Sequence, residues 1–235
     1  MQFRFSAILL DLDGTLVDSA PELAAAVNGT LESLGRRTLS VEEVRGMIGN
    51  GLPALTLAAL AATGGAPDAE ATEDIICRVR TLYDRQPPPR VFDGVRETLT
   101  DWHQSGISLI VCTNKPEGSA RRLMAELGLD RLIADLAGGD SYPVRKPHPG
   151  HLLRPLERLG LDPKLAVMVG DSHIDADAAR DAGIPFIAVS YGYAGQRRGE
   201  MEAVSTVDRF ADVTGAIAQL AERRGLAFPS PPPEV

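Results

Sequence analysis

Short apolar runs that alternate with helical patterns constrain the fold of this chain more than any other feature of its sequence. Each run is long enough for one buried strand, and amphipathic helical patterns lie between the runs. This alternation is typical of a parallel sheet that is covered by helices on both faces. We therefore predict an α/β fold with strands near residues 5–10, 107–113, 165–170 and 184–190 and helices near residues 95–105, 117–127, 149–159 and 174–182.

Residues 16–85 lack any strand pattern and read as a helical insertion. Ser19 with Glu22, and Ser40 with Glu43, have the spacing of capping boxes at helix N-termini. Further helical patterns cover residues 52–62 and 68–85. We therefore predict three parts: a discontinuous core domain (residues 1–15 and 86–227), a helical domain (residues 16–85) and a disordered, proline-rich tail (residues 228–235).

Composition and charge narrow the class of protein. The 235 residues are 44% hydrophobic and 24% charged, as expected of a soluble globular chain, and the net charge of -8 disfavours a nucleic-acid partner. Cys77 and Cys112 lie far apart in apolar contexts, which suits a reducing compartment. Residues 1–10 lack the shape of a signal peptide, and glycine and proline interrupt the longest uncharged stretch, residues 46–67. We expect a cytoplasmic protein, monomeric or homodimeric, with no membrane partner.

Two carboxylates follow the first apolar run, where a parallel sheet places its ligands. Asp11 and Asp13 are two residues apart, and groups so close repel each other unless a cation or a proton lies between them. Gly14 follows directly and allows a close approach of the backbone to a ligand. This pattern predicts a nucleophile and an acid/base residue beside a bound metal.

Further polar residues follow the other predicted strands. Asp171 and Asp175 supply hard oxygen donors without clustered cysteines, which favours Mg²⁺ over zinc. Thr113 and Asn114 offer hydroxyl and amide donors that suit phosphate oxygens. Lys146, in a proline-rich loop, adds a positive charge. Together these residues predict a phosphate and metal site at one edge of the sheet.

Four segments resemble, in order, the motifs of the haloacid dehalogenase superfamily of phosphatases. Residues 11–15 resemble its first motif, Thr113 its second, Lys146 its third, and residues 170–172 with Asp175 its fourth. The resemblance extends from residue 7 to about residue 193. It implies a Rossmann-like core with an inserted, all-helical cap domain in the position of residues 16–85.

The resemblance also implies a role for each motif residue. Asp11 attacks phosphorus and forms an aspartyl-phosphate, while Asp13 protonates the leaving group and then activates water. The implied Mg²⁺ ligands are Asp11, the backbone carbonyl of Asp13, and Asp171, with Asp175 in support. The implied phosphate-binding residues are Thr113, Asn114 and Lys146.

Within the superfamily, the motifs resemble most closely those of bacterial phosphoglycolate phosphatases, which implies 2-phosphoglycolate as the small phosphorylated metabolite. A helical cap covers the site in such enzymes, and a cation near the substrate carboxylate would aid binding. Our candidates for substrate specificity are therefore Arg45, Gly49, Asn50 and Lys115. Many relatives have an aspartate and prolines after the third motif, where this chain has Gly150 and His151.

Other activities are weighed against the same residues. Asp13 argues against a dehalogenase, and the absence of lysine from residues 16–85 argues against phosphonate cleavage through a Schiff base. A binding protein without activity would have lost a motif residue. A phosphatase of another small ester, such as a sugar phosphate, and a sugar phosphomutase remain alternatives. Because Asp13 already fills the acid/base role, we assign no catalytic role to His148, His151 or His173.

Overall fold

Six parallel strands form the central sheet in a computed structural model, which describes residues 5–193 and 201–226. The strand order is β5-β4-β1-β6-β7-β8, which places β1 inside the sheet. These strands are β1 (Ala7–Leu10), β4 (Ser108–Cys112), β5 (Asp135–Ala137), β6 (Ala166–Gly170), β7 (Phe186–Val189) and β8 (Ser205–Val207). A separate antiparallel pair consists of β2 (Val17–Asp18) and β3 (Arg90–Val91). The predicted parallel α/β sheet is confirmed.

Nine helices lie within the described residues. Four precede the second part of the sheet: α1 (Ala20–Ser33), α2 (Val41–Arg45), α3 (Leu52–Ala62) and α4 (Ala69–Tyr83). Five alternate with its strands: α5 (Val95–Gln104), α6 (Glu117–Glu126), α7 (Gly150–Arg158), α8 (His173–Ala182) and α9 (Val213–Arg223). No helix in this described part is long and apolar enough to cross a membrane.

Side chains of successive strand residues enter two hydrophobic layers, one on each face of the sheet. Ile8 and Leu10 pack with Trp102 of α5 on one face, whereas Leu9 packs with Leu156 of α7 on the other. Helices therefore cover both faces, and β1, β6 and β7 consist of apolar residues and glycine because neither face meets solvent there.

The register of the strands sets the level at which the sheet ends. Leu10 of β1 pairs with Val111 of β4 and with Val169 of β6. The next residues along the chain leave the sheet at nearly the same level, so the loops that carry Asp11 and Asp171 lie side by side.

The helices α1–α4 pack around a hydrophobic cluster of their own, and we call them the helical unit. Its cluster includes Leu31, Leu60 and Val79, which are nearly inaccessible to solvent. Leu16 and Val17, which the sequence assigned to the insertion, instead pack in the main core. The helical unit is thus connected to the sheet through β2 and β3, and its first helix begins at Ala20. The proline-rich tail predicted to be disordered lies outside the described residues.

Candidate active site

Three carboxylates and one lysine meet at the carboxyl edge of the sheet. Lys146 Nζ lies 2.7 Å from Asp11 Oδ1 and 2.6 Å from Asp175 Oδ1. Asp11, Asp171 and Asp175 each offer one carboxylate oxygen, and these oxygens all lie within 4.8 Å of one another. All four side chains are buried. The structure therefore brings together residues of the first, third and fourth predicted motifs.

The charges of this cluster do not balance. Burial, followed by the charge of Asp175, raises the pKa of Asp11 to about 7, although Lys146 opposes the shift. Burial and then the charges of Asp11 and Asp175 raise the pKa of Asp171 well above its usual value. Burial disfavours the charged form of Lys146, but the two aspartates outweigh it and raise its pKa. One ammonium thus faces three carboxylates, and oxygen donors in such excess suit a hard divalent cation.

Asp171 is held in place by close backbone packing. Thr15 Oγ1 donates a hydrogen bond to Asp171 Oδ1 at 3.0 Å, and the Tyr193 amide donates to Asp171 Oδ2 at 2.6 Å. Gly14 has a φ of +88°, and a Cβ atom at this position would lie 2.5 Å from Asp171 Oδ2. A Cβ atom at Gly192 would lie 2.2 Å from Asp171 Cβ. Both positions therefore require glycine for the backbone to reach the carboxylate.

Asp13 faces a different set of partners. Lys115 Nζ lies 3.0 and 2.9 Å from its two carboxylate oxygens, and Ser19 Oγ donates to Asp13 Oδ1 at 2.6 Å. The ion pair with Asp13 raises the pKa of Lys115 in spite of burial. The carboxylate of Asp13 is not part of the three-carboxylate cluster. A metal contact through its backbone carbonyl remains a prediction.

The predicted capping box at Ser19 is wrong, because the side chain has another partner. The Ser19 side chain makes no capping hydrogen bond to α1, because its hydroxyl donates to Asp13 instead. Its backbone amide donates to the Tyr193 hydroxyl at 2.8 Å. The second predicted box, Ser40 with Glu43, is confirmed with both of its hydrogen bonds. The two serines look alike in sequence, but Ser40 has the extended backbone of a helix N-cap, whereas Ser19, with a ψ of 1°, does not.

The side chains of the predicted phosphate-binding residues Thr113 and Asn114 differ in the hydrogen bonds that they already make. Thr113 is buried beside the cluster, and its hydroxyl accepts a hydrogen bond from the Lys115 amide at 3.2 Å. The amide nitrogen of Asn114 donates at 3.0 Å to the carbonyl of Gly49 and also to the carbonyl of Lys146. Both amide protons are thus in use. This differs from the expectation that the Asn114 side chain donates to phosphate, and the residue instead ties two loops together.

A cavity of about 60 Å³ lies between the helical unit and the edge of the sheet. Asp11, Asp13 and Thr113 line it from the sheet side. The helical unit adds an apolar wall, made of Leu23, Ile48, Leu52 and Leu55, and a polar group, made of Arg80, Tyr83 and Asp84.

Only part of the predicted specificity set lines this cavity. Gly49 and Lys115 do, whereas Arg45 and Asn50 do not. Asn50 is exposed, and the guanidinium of Arg45 lies 3.7 Å from Asp18 and 3.4 Å from Glu42. Arg45 and Asn50 thus lie outside the cavity lining, with the arginine directed toward Asp18, and a role for either in specificity stays a prediction.

His151 is fully buried behind the Lys146 loop. Its Nδ1 accepts a hydrogen bond from the Lys146 amide at 3.1 Å, so the proton of the neutral ring lies on Nε2, which is 3.1 Å from the Gly138 carbonyl oxygen. Burial, followed by the charge of Lys146, lowers the pKa of His151 to about 4. The sequence analysis assigns no catalytic role to His151, and the departure at this position from the motif of many relatives is the one sequence signal for it.

Sequence comparison identifies relatives over most of the chain. The profile of the haloacid dehalogenase-like hydrolases matches residues 5–183. A phosphoglycolate phosphatase of Rhodospirillum rubrum is 40% identical over 213 residues, which is 88% of this chain and 88% of the relative. A phosphoglycolate phosphatase of Pseudomonas syringae pv. tomato is 40% identical over 189 residues, covering 79% of this chain and 70% of the relative.

Structural comparison gives a consistent result. The crystal structure of a predicted phosphoglycolate phosphatase from Haemophilus somnus superposes with a TM-score of 0.86 at 30% sequence identity. The match covers 90% of this chain and 97% of the other. That protein thus shares the fold of this chain over most of its length.

Proposed function

The chain belongs to the haloacid dehalogenase-like hydrolases, and from that premise we propose that it is a Mg²⁺-dependent phosphomonoesterase that hydrolyses 2-phosphoglycolate to glycolate and phosphate. One observation carries the proposal. A buried cluster of three carboxylates and one lysine presents one of its members, Asp11, to a cavity that Asp13 and Thr113 also line. The names of the relatives support this choice of substrate.

Asp11 is the nucleophile in this proposal. Its carboxylate oxygen attacks phosphorus, the bond from phosphorus to the ester oxygen breaks, and an aspartyl-phosphate forms. Lys146, which contacts Asp11 in the structure, stabilises the negative charge of the transferring phosphoryl group, and the Thr113 hydroxyl donates to one of its oxygens. Thr113 lines the same cavity as Asp11, and Lys146 already contacts the nucleophile.

Asp13 is the acid and base of the two steps. Its carboxyl group gives a proton to the departing glycolate oxygen and takes a proton back from the water that hydrolyses the aspartyl-phosphate. Lys115 and Ser19 fix the orientation of this carboxyl group through the contacts described above. Asp13 therefore gives and regains one proton in each turnover and returns to its starting state.

The carboxylates of Asp11, Asp171 and Asp175 would hold the metal. Mg²⁺, when bound, neutralises the excess negative charge of the cluster and so reduces the repulsion between the Asp11 carboxylate and the phosphate dianion. Asp175 also caps α8 through Ser172 and pairs with Lys146, which makes it the member that holds the cluster together.

A panel of phosphate esters tests the proposal. The purified protein, with Mg²⁺, is assayed against 2-phosphoglycolate, ethyl phosphate and several sugar phosphates, and we expect 2-phosphoglycolate to have the highest kcat/KM. Asp11→Asn should abolish turnover of every ester, whereas Asp130→Asn, an exposed aspartate away from the site, should not. A sugar phosphate in first place would overturn the substrate, and turnover by the Asp11 variant would overturn the mechanism.

A further inference from the structure

We propose that Arg80, on α4 of the helical unit, binds the carboxylate of the substrate and makes the enzyme selective for phosphate esters that carry an acid group. This inference rests on the proposed function. It adds the residue that binds the second anionic group of the substrate, which is the carboxylate. Arg80 was not among the specificity candidates that the sequence suggested. Four observations carry the inference.

The first observation is the position of Arg80. It lines the cavity together with Tyr83 and Asp84. These residues lie three and four positions further along the chain, so they share one face of the helix at its C-terminal end. The reacting carboxylates Asp11 and Asp13 line the same cavity from the sheet side. A substrate bound through its phosphate at Asp11 therefore extends toward the wall that contains Arg80.

The second observation is that the guanidinium of Arg80 has no partner. Among the described residues it makes no hydrogen bond and no ion pair. Its natural partner would be Asp84, four residues later on the same face. Asp84 is instead paired with Arg122 of α6, whose Nη2 lies 2.6 Å from Asp84 Oδ1. The contact between α4 and α6 thus leaves the charge of Arg80 available to a ligand.

The third observation concerns the other cations near the site. Lys115 also lines the cavity, but its ammonium is paired with both oxygens of Asp13 and lies 4.7 Å from the centre of the Tyr83 ring. Arg45, the other arginine considered, is paired with Asp18 and Glu42 outside the cavity. Of the cations that the structure places around this cavity, Arg80 alone is uncommitted.

The fourth observation is the charge that a substrate carboxylate would meet. Asp11, Asp13 and Asp84 all line the cavity, so an acid group that enters it is repelled unless a cation compensates. A guanidinium is suited to this task, because its planar donors bind a carboxylate through two parallel hydrogen bonds. An unpaired arginine in a small, acidic cavity is therefore a site for a carboxylate.

The test compares two substrates that differ at the proposed contact. Ethyl phosphate keeps the phosphate and methylene groups of 2-phosphoglycolate but carries a methyl group in place of the carboxylate. The measured quantity is the selectivity, defined as the kcat/KM for 2-phosphoglycolate divided by that for ethyl phosphate. It is determined with Mg²⁺ for the wild type, Arg80→Gln, Arg80→Lys and the control Arg85→Gln. Arg85 is an exposed arginine just beyond α4 that does not line the cavity.

We expect Arg80→Gln to lower the selectivity roughly 10- to 100-fold, as is typical for the loss of a charge-assisted hydrogen bond. Arg80→Lys should retain part of the selectivity, and Arg85→Gln should retain all of it. Because Arg80 is exposed on a helix, its variants should fold, which circular dichroism checks.

The outcomes separate this inference from the proposed function. If the wild type is selective and Arg80→Gln is equally selective, the function stands and the role of Arg80 is overturned. An equal loss of kcat/KM with both substrates in Arg80→Gln also overturns the role of Arg80, since it would show that Arg80 does not bind the carboxylate. A wild type with no selectivity overturns the role of Arg80 and the substrate together.

Discussion

His151 connects two loops of the site with one imidazole ring. Its Nδ1 accepts from the amide of Lys146 and its Nε2 donates to the carbonyl of Gly138. A proline, which the usual form of the motif favours near this position, has neither a side-chain donor nor a side-chain acceptor. The lysine that contacts Asp11 is thus held from behind by a residue that must stay neutral, because protonation of Nδ1 would remove the acceptor.

This requirement predicts a dependence of stability on pH. The pKa of His151 is about 4 in the folded protein and about 6.5 in an unfolded chain. As the pH falls from 6.5 toward 4, the unfolded state therefore takes up a proton that the folded state does not. Folding should lose up to ~1.4 kcal/mol per pH unit from this residue alone in that window, and nothing from it above pH 6.5.

The measurement compares the wild type with His151→Gln, which keeps a donor for Gly138 but does not titrate. The free energy of unfolding is obtained from urea titrations between pH 4 and pH 8. The wild type should show the steeper loss on the acid side, although the variant is less stable at pH 8, because it gives up the well-placed acceptor of the Lys146 amide. Parallel curves would show that His151 does not titrate as the structure implies.

At the scale of secondary structure elements, the sequence was most informative where apolar periodicity is strong. The four predicted strands and the helices between them are present, because short apolar runs that alternate with amphipathic patterns favour buried parallel strands. The strands β5 and β8 were missed because each has three residues and polar members, Asp135 in one and Ser205 in the other. Their pairing with longer neighbours, and not their own sequence, makes them strands.

The candidate site, too, could be predicted only where it depends on the local sequence pattern. Motif residues such as Asp11 and Asp171 could be placed together, because strand ends in a parallel sheet meet. The positions of Arg45 and Arg80 could not be predicted, since they depend on how the helical unit packs against the sheet. The partner of Ser19 could not be predicted either, because a serine before a helix most often caps that helix.

Ser19 and Ser40 therefore provide a matched pair of variants at the starts of α1 and α2. Ser40→Ala removes a capping hydrogen bond and should destabilise the protein by ~1 kcal/mol while leaving kcat unchanged. Ser19→Ala removes a hydrogen bond to a carboxylate and should lower kcat roughly 10-fold. Its effect on stability should not include the loss of a cap, because no cap exists there.

Thermal unfolding and steady-state assays on both variants check this contrast. The opposite pattern, with Ser19→Ala fully active and Ser40→Ala impaired in turnover, would contradict the assignment of the Ser19 hydroxyl to Asp13.

At the scale of the whole molecule, the buried carboxylates that we propose bind the metal lower the free energy of unfolding when no metal is bound. Burial and then neighbouring charges raise the pKa of Asp171, so ionising this carboxyl group costs more free energy in the folded protein than in the unfolded chain. Without metal, the stability contributed by this group falls as the pH rises above the unfolded pKa. A bound divalent cation should recover that loss, by ~2.7 kcal/mol at a hundredfold excess over its Kd.

Asp171→Asn should separate the two effects. The amide can still accept from Tyr193 and can donate to Thr15, so the packing is retained. In EDTA at pH 8 the variant should have a Tm at least equal to that of the wild type. Addition of Mg²⁺ should raise the Tm of the wild type but not that of the variant, with NaCl at equal ionic strength as the control. An equal Mg²⁺ shift in both proteins would remove Asp171 from the metal site.

The central claim is that Asp11 carries the phosphoryl group during turnover, and acid-quench labelling tests it most directly. 2-Phosphoglycolate with a labelled phosphoryl group is mixed with excess protein and Mg²⁺, the reaction is stopped in acid within milliseconds, and the protein is digested and mapped. The account predicts a transient label, stable in acid, on the peptide that contains Asp11, and no label in Asp11→Asn. Rapid hydrolysis with no labelled protein at any time, or a label on another residue, would contradict it.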